Sequence, residues 1–104
     1  MSSANDDVPR WTAKQGQYLA YLYAYATLNG RAPAERDMEQ FFRCTAPSVH
    51  TMIKTLEREG LIRRQPGVAR SIELLVAPEA LPILRRPSTS VEAAQPVRTL
   101  AARY

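Results

Sequence analysis

The sequence predicts a mainly α-helical domain of three helices closed by a small β-hairpin. Three segments repeat apolar residues at three- and four-residue spacing, each bounded by helix start and stop residues. After them, two short apolar runs flank Gln65-Pro66-Gly67-Val68, a strong type II turn signal. The 104 residues are 45% hydrophobic, which suits one core of ordinary size and no more.

The elements follow in order. Residues 1–10 are a polar lead-in without periodicity, expected as a flexible tail. Thr12 is placed to cap a first helix running from Ala13 to Leu28, which Asn29-Gly30 stops. Gln15, Tyr18, Leu19, Leu22 and Ala26 share one face of it and form the expected core stripe. Gly16 has no evident role. Pro33 opens a short second helix, Ala34 to Phe42, whose apolar side is Met38, Phe41 and Phe42. Ala34 stands where a hydroxyl cap belongs, which weakens that start by roughly 1 kcal/mol.

After a turn at Arg43-Cys44, Thr45 caps a third helix with Pro47 tolerated in its first turn. Val49, Met52, Ile53 and Leu56 point inward; Ser48, Thr51, Lys54, Thr55 and Arg58 point outward; Gly60 ends the helix. Leu61 to Arg64 and Arg70 to Val76 read as the two strands. Residues 11–76 form the domain. Residues 77–104, with four of the eight prolines, read as a second tail in which Val97 to Tyr104 form a weak helical turn.

Composition removes much chemistry. One cysteine, Cys44, excludes an internal disulfide framework and fits a reducing cytosol. One histidine and one cysteine cannot furnish a protein zinc site, so no metal or cofactor is expected. No apolar run approaches a membrane span and the N-terminus has no secretory pattern, which points to the cytoplasm. The four glycines are isolated and form no phosphate cradle, and the carboxylates look like ordinary solvated charge, so no enzymatic activity is expected. A domain of this size leaves little room for a small-molecule ligand.

Charge is more informative by place than in total. The net charge is +4, and between Arg43 and Arg70 six basic residues face two acidic ones, while the rest of the chain balances at eight to eight. A short helix, a tight turn and a second helix with a hydroxyl-rich outer face is the helix-turn-helix pattern, and the hairpin adds a wing. Base edges in a major groove call for compact donors and acceptors, and phosphates call for nearby cations. The candidate DNA-binding residues are therefore Thr45, Ser48, His50, Thr51, Lys54, Thr55 and Arg58 of the third helix, with Arg63, Arg64, Gln65 and Arg70 of the wing. The expected partner is double-stranded DNA, which would place the protein at the nucleoid, and the expected role is transcriptional regulation.

Residues 11–76 resemble the N-terminal winged-helix domain of LexA-type repressors. The likeness begins at Trp11-Thr12-Ala13-Lys14-Gln15 and passes through Asn29-Gly30-Arg31-Ala32-Pro33. It is strongest in Ser48-Val49-His50 and in Leu56-Glu57-Arg58-Glu59-Gly60-Leu61-Ile62-Arg63-Arg64, and it continues through Pro66-Gly67 and Arg70-Ser71-Ile72-Glu73-Leu74. MarR-like proteins share this winged-helix architecture. The resemblance implies operator binding. Departures are a turn one residue shorter before the third helix, Arg43 near a position where glycine is common, and Ala34 in place of a hydroxyl cap. Self-cleavage is not expected: Leu81-Pro82-Ile83-Leu84 leads to no Ala-Gly pair, and Lys14 and Lys54 are the only lysines.

Some residues keep two readings. His50 either touches a phosphate or packs at the domain edge. Cys44 is either a redox sensor or, more simply, a free thiol. Tyr21, Tyr25 and Leu28 form a second stripe on the first helix, either a wide core arc or a homodimer or partner surface. The second reading supports an alternative function, a winged-helix interaction module or accessory subunit, for example in a mobile-element complex, that docks through this helix.

Overall fold

A computed structural model of the chain describes residues 10–87. The lead-in before residue 10 and the helical turn expected at Val97 to Tyr104 lie outside the described residues. Three helices, α1 (Ala13–Asn29), α2 (Glu35–Phe42) and α3 (Ala46–Arg58), precede strands β1 (Ile62–Arg63) and β2 (Glu73–Leu74). The strands pair antiparallel with Ile62 opposite Leu74 and Arg63 opposite Glu73. This is the winged helix-turn-helix arrangement.

Side chains close the helix ends. At α1, Gln15 N–H donates to Thr12 Oγ1 at 3.1 Å while Thr12 N–H donates to Gln15 Oε1 at 2.9 Å, a reciprocal capping box. The box explains a glutamine on the core stripe: its amide serves the helix start rather than the core. Gly30, at φ 74°, stops α1 by donating back to Ala26 O. At α2 no hydroxyl caps the first turn, and only the reciprocal bond of a capping box forms, Asp37 Oδ2 accepting the Ala34 N–H at 2.8 Å. At α3, Thr45 Oγ1 accepts the Ser48 N–H at 3.3 Å.

The core joins Tyr18, Leu19 and Leu22 of α1 to Met38 of α2, to Val49, Ile53 and Leu56 of α3, and to Leu61 and Ile62. Phe42 stacks on Tyr18 with centroids 4.1 Å apart and planes 7° from parallel. Ala26, expected in the stripe, is exposed, because the last turns of α1 run past the other helices.

The strands are shorter than Leu61 to Arg64 and Arg70 to Val76. Arg70 takes a left-handed φ of 57°, and Ser71 leaves the ladder to bridge the loop. Its hydroxyl accepts from Gln65 N–H at 3.0 Å and donates to Gln65 O at 3.2 Å. Beyond the paired residues one further bond forms, Leu75 N–H to Leu61 O at 3.0 Å. The turn itself is as expected, with Val68 N–H bonded to Gln65 O at 3.1 Å and Gly67 at φ 76°.

Residues 77–87, read as tail, return across α1. A 3-10 turn (Pro78–Ala80) leads to Leu81, which packs on the core, and then to an extended strap. Gln17 holds the strap with both ends of its amide: Nε2 donates to Ile83 O at 2.9 Å and Oε1 accepts Arg85 N–H at 2.7 Å. This also gives Gly16 its role. A Cβ there would stand 3.0 Å from Pro82 Cγ and 3.0 Å from the Trp11 ring, so only glycine leaves room for that crossing without a shift.

Replacing Gly67 with alanine isolates the conformational requirement of the turn, because nothing lies within 4 Å of the added Cβ. Thermal unfolding followed by circular dichroism should show a loss of about 1 kcal/mol, or roughly 4–8 °C in Tm. An unchanged Tm would remove the left-handed turn as a constraint on the wing.

Candidate nucleic-acid interface

The turn from α2 into α3 aims the candidate reading helix. Arg43 ends α2 in a left-handed conformation at φ 56° and ψ 50°, and Cys44 N–H bonds back to Glu39 O at 3.2 Å. Two residues later α3 has begun. With Val49, Ile53 and Leu56 inward, the 3.6-residue repeat turns Pro47, Thr51, Lys54 and Arg58 directly outward. Ser48 and Thr55 lie on the flank nearer α1, and His50 and Glu57 on the flank nearer α2.

Ser48, Thr51, Lys54 and Arg58 are exposed and Thr55 is half-buried. Ser48, Thr51 and Thr55 border a shallow open groove with Thr12 and Lys14 on its other side. Sequence reasoning alone does not place Lys14 and Thr12 beside α3. A signal exists in the off-core position of Lys14, but nothing in the chain order says that α1 begins beside α3. Thr45 is exposed, yet its hydroxyl is engaged at the helix cap and donates to Ser48 Oγ at 3.0 Å. His50 is exposed, with Nδ1 3.6 Å from Glu35 Oε2 of α2.

The basic residues divide into two sets. Among the described residues, Lys54 and Arg58 make no ion pair. Arg63 is exposed and pairs across the strands with Glu73, Nη2 to Oε1 at 2.6 Å, both side chains more than half exposed. Arg64 turns inward, with Nε bonded to Glu57 Oε1 at 2.9 Å and Nη1 3.9 Å from Glu35. Arg70 is held most thoroughly: Nη1 meets the Tyr25 hydroxyl at 3.1 Å, Ala32 O at 3.3 Å and Asp37 Oδ2 at 3.3 Å. The bond to Tyr25, against the opposing effect of burial, raises its pKa above the ordinary arginine value, with Asp37 adding to the rise. Gln65 is exposed, and its backbone is fixed by Ser71.

The second stripe of α1 also turns inward. Tyr21 packs on Phe41 and Phe42 at centroid distances of 4.7 and 5.6 Å, and its hydroxyl donates to Asp37 O at 3.4 Å. Burial, with Asp37 nearby, raises its pKa. Tyr25 holds Arg70. Only Leu28 of the three stands out in solvent, 82% exposed. No helix among the described residues is long and apolar enough to cross a membrane.

The arrangement of α2, turn, outward-facing α3 and wing coincides with a family match. Residues 9–71 match the model of the LexA DNA binding domain. The chain belongs to that family. It is 35% identical over 72 residues to a LexA repressor of Thermosipho africanus, covering 69% of this chain and 36% of that protein. A LexA repressor of Novosphingobium aromaticivorans is 31% identical over 91 residues, 82% of this chain and 39% of its own length. One from Geobacter metallireducens is 37% identical over 65 residues, 62% of this chain and 32% of that protein. This LexA-domain chain thus spans less than two fifths of the length of these relatives.

The two sets of arginines should separate in urea unfolding. Arg70→Ala leaves Tyr25, Asp37 and Ala32 O without their shared donor and should lower the urea midpoint measurably. Arg63→Ala breaks an exposed pair and should cost less than about 0.5 kcal/mol. Equal losses would overturn the distinction.

Proposed function

We propose that this LexA-domain protein is a sequence-specific double-stranded DNA-binding regulator that represses transcription by occupying operator sequence. The carrying observation is the outward face of α3, where Ser48 and Thr51 stand exposed beside Lys54 and Arg58, two cations with no ion pair among the described residues. In this reading α3 enters the major groove and presents Ser48, Thr51 and Thr55 to base edges. Lys54, Arg58 and Arg63 take phosphates, joined at the periphery by His50, Gln65 and Lys14. Arg63 can exchange Glu73 for a phosphate at little cost, since an exposed pair is worth roughly 0–1 kcal/mol.

Thr45 contributes as the cap that orients α3. Arg64 and Arg70 contribute by fixing the wing against the helices, so they position Arg63 and Gln65 rather than meet phosphate themselves. Repression follows the relatives, which carry the name LexA repressor. The interaction-module reading has less support, because Tyr21 and Tyr25 pack within the domain. The proposed activity is binding, with no catalytic step.

Selection of duplexes from a random pool at about 150 mM salt tests the reading. An enriched palindrome is the expected result and would make the bound species a two-fold dimer. One asymmetric site would keep the DNA reader and overturn the dimer, and a pool without enrichment would overturn sequence-specific binding. On the selected duplex, the double variant Lys54→Ala/Arg63→Ala should flatten the log–log salt dependence by about 1.8, near 0.9 for each phosphate no longer neutralised. Thr51→Ala should instead change preference at one or two base pairs. An unaltered slope in the first case, or a uniform loss across sequences in the second, contradicts the assigned role.

A further inference from the structure

A concavity lies away from the outward face of α3, where the strap crosses the start of α1. It encloses about 730 Å3, within the span of roughly 300–1,000 Å3 usual for small-molecule sites. That is more room than a domain of this length is expected to leave. Its wall is aromatic and apolar, from Trp11, Tyr18, Phe42 and Pro82. Its charged lining is one-sided among the described residues: Lys14, Arg85 and Arg86 border it and no acidic residue does. None of these three cations makes an ion pair among the described residues. The arginines of the wing have found carboxylates, whereas here three cations without a described ion pair gather around one apolar cleft.

We propose that this cleft is a binding site for an aromatic carboxylate, its ring against the Trp11–Phe42 wall and its carboxylate among Lys14, Arg85 and Arg86. Apolar burial supplies contact area, and charge-assisted hydrogen bonds from two guanidinium groups and an ammonium select an anion over a neutral ring of the same shape. The site depends on the strap, which Gln17 clips in place and Gly16 admits. Lys14 gives it a consequence. The same residue borders the groove beside Ser48 and Thr51, so a bound carboxylate competes with a DNA phosphate for one ammonium. This coupling rests on the DNA-binding reading; the ligand site itself does not.

The probe is 2-naphthoate, titrated at constant ionic strength into the full chain. Trp11 is the only tryptophan, so its single indole N–H resonance reports on the cleft directly. The expected result is a saturable shift of that resonance by 2-naphthoate, with 2-naphthylmethanol and inorganic phosphate binding at least about tenfold more weakly. Charge reversal at two exposed side chains, Arg85→Glu/Arg86→Glu, should weaken 2-naphthoate about tenfold while the rest of the spectrum stays folded. An unmoved indole resonance overturns the site. Equal binding of the alcohol, or indifference to the charge reversal, overturns the anion preference. Saturating 2-naphthoate should weaken the selected duplex several-fold in the parent protein and not in the charge-reversed one. Ligand binding without that change overturns the coupling through Lys14. A pool that yields no duplex defeats the DNA reading and leaves the cleft to be judged by its own titration.

Discussion

The outward face of α3 depends on the short turn that joins α2 to α3. Two residues, Arg43 in a left-handed conformation and Cys44 bonded back to Glu39, redirect the chain before Thr45 caps the next helix. A left-handed non-glycine residue costs roughly 1–2 kcal/mol, and packing on both sides must offset it. Phe42 stacks on Tyr18 just before the turn, and Val49 is fully buried just after it. The angle of α3 is therefore held from both sides of the turn, by Phe42 on Tyr18 and by Val49 in the shared core. With that angle fixed, the 3.6-residue repeat decides which side chains reach outward.

The wing is fixed by a different kind of interaction. Two paired residues on each strand are too few to hold a hairpin by its ladder. Side chains reach across instead: Arg70 ties the loop to α1 and α2, Arg64 ties β1 to the end of α3, and Ser71 cross-links the loop to itself. Positive charge serves two ends here. Arg64 and Arg70, each held by several partners, position the wing, whereas Arg63 keeps only an exposed pair with Glu73. Counting basic residues along the chain cannot separate the two, although the count does locate the region.

Legibility in the sequence follows the range of the interactions. The three helices, the Thr12 and Thr45 caps, the Gly30 stop and the Pro66-Gly67 turn depend on neighbours a few residues away, and they are readable. So is the core stripe from Gln15 to Leu22, while Ala26 escapes because helix periodicity says which face is apolar and not how far the neighbouring helices extend. The inward turn of Tyr21 and Tyr25 and the capture of Arg70 involve partners 16 to 45 positions apart. Gly16 is the sharpest case. Its reason is Pro82, sixty-six residues further along, on a stretch whose prolines suggest a tail.

That stretch shows why proline content alone is a poor guide to order. Pro82 removes a backbone donor and fixes an extended course, which suits a strap that lies along a helix without entering a ladder. Such a strap needs its few remaining polar groups met. Gln17 meets two of them with one amide, while Leu81 anchors the strap to the core. Because the strap is extended, the side chains of Arg85 and Arg86 project from it instead of folding back into helical pairs. The extended course that keeps the segment from being a helix thus also brings Arg85 and Arg86 to the cleft, beside the lysine that also borders the groove along α3.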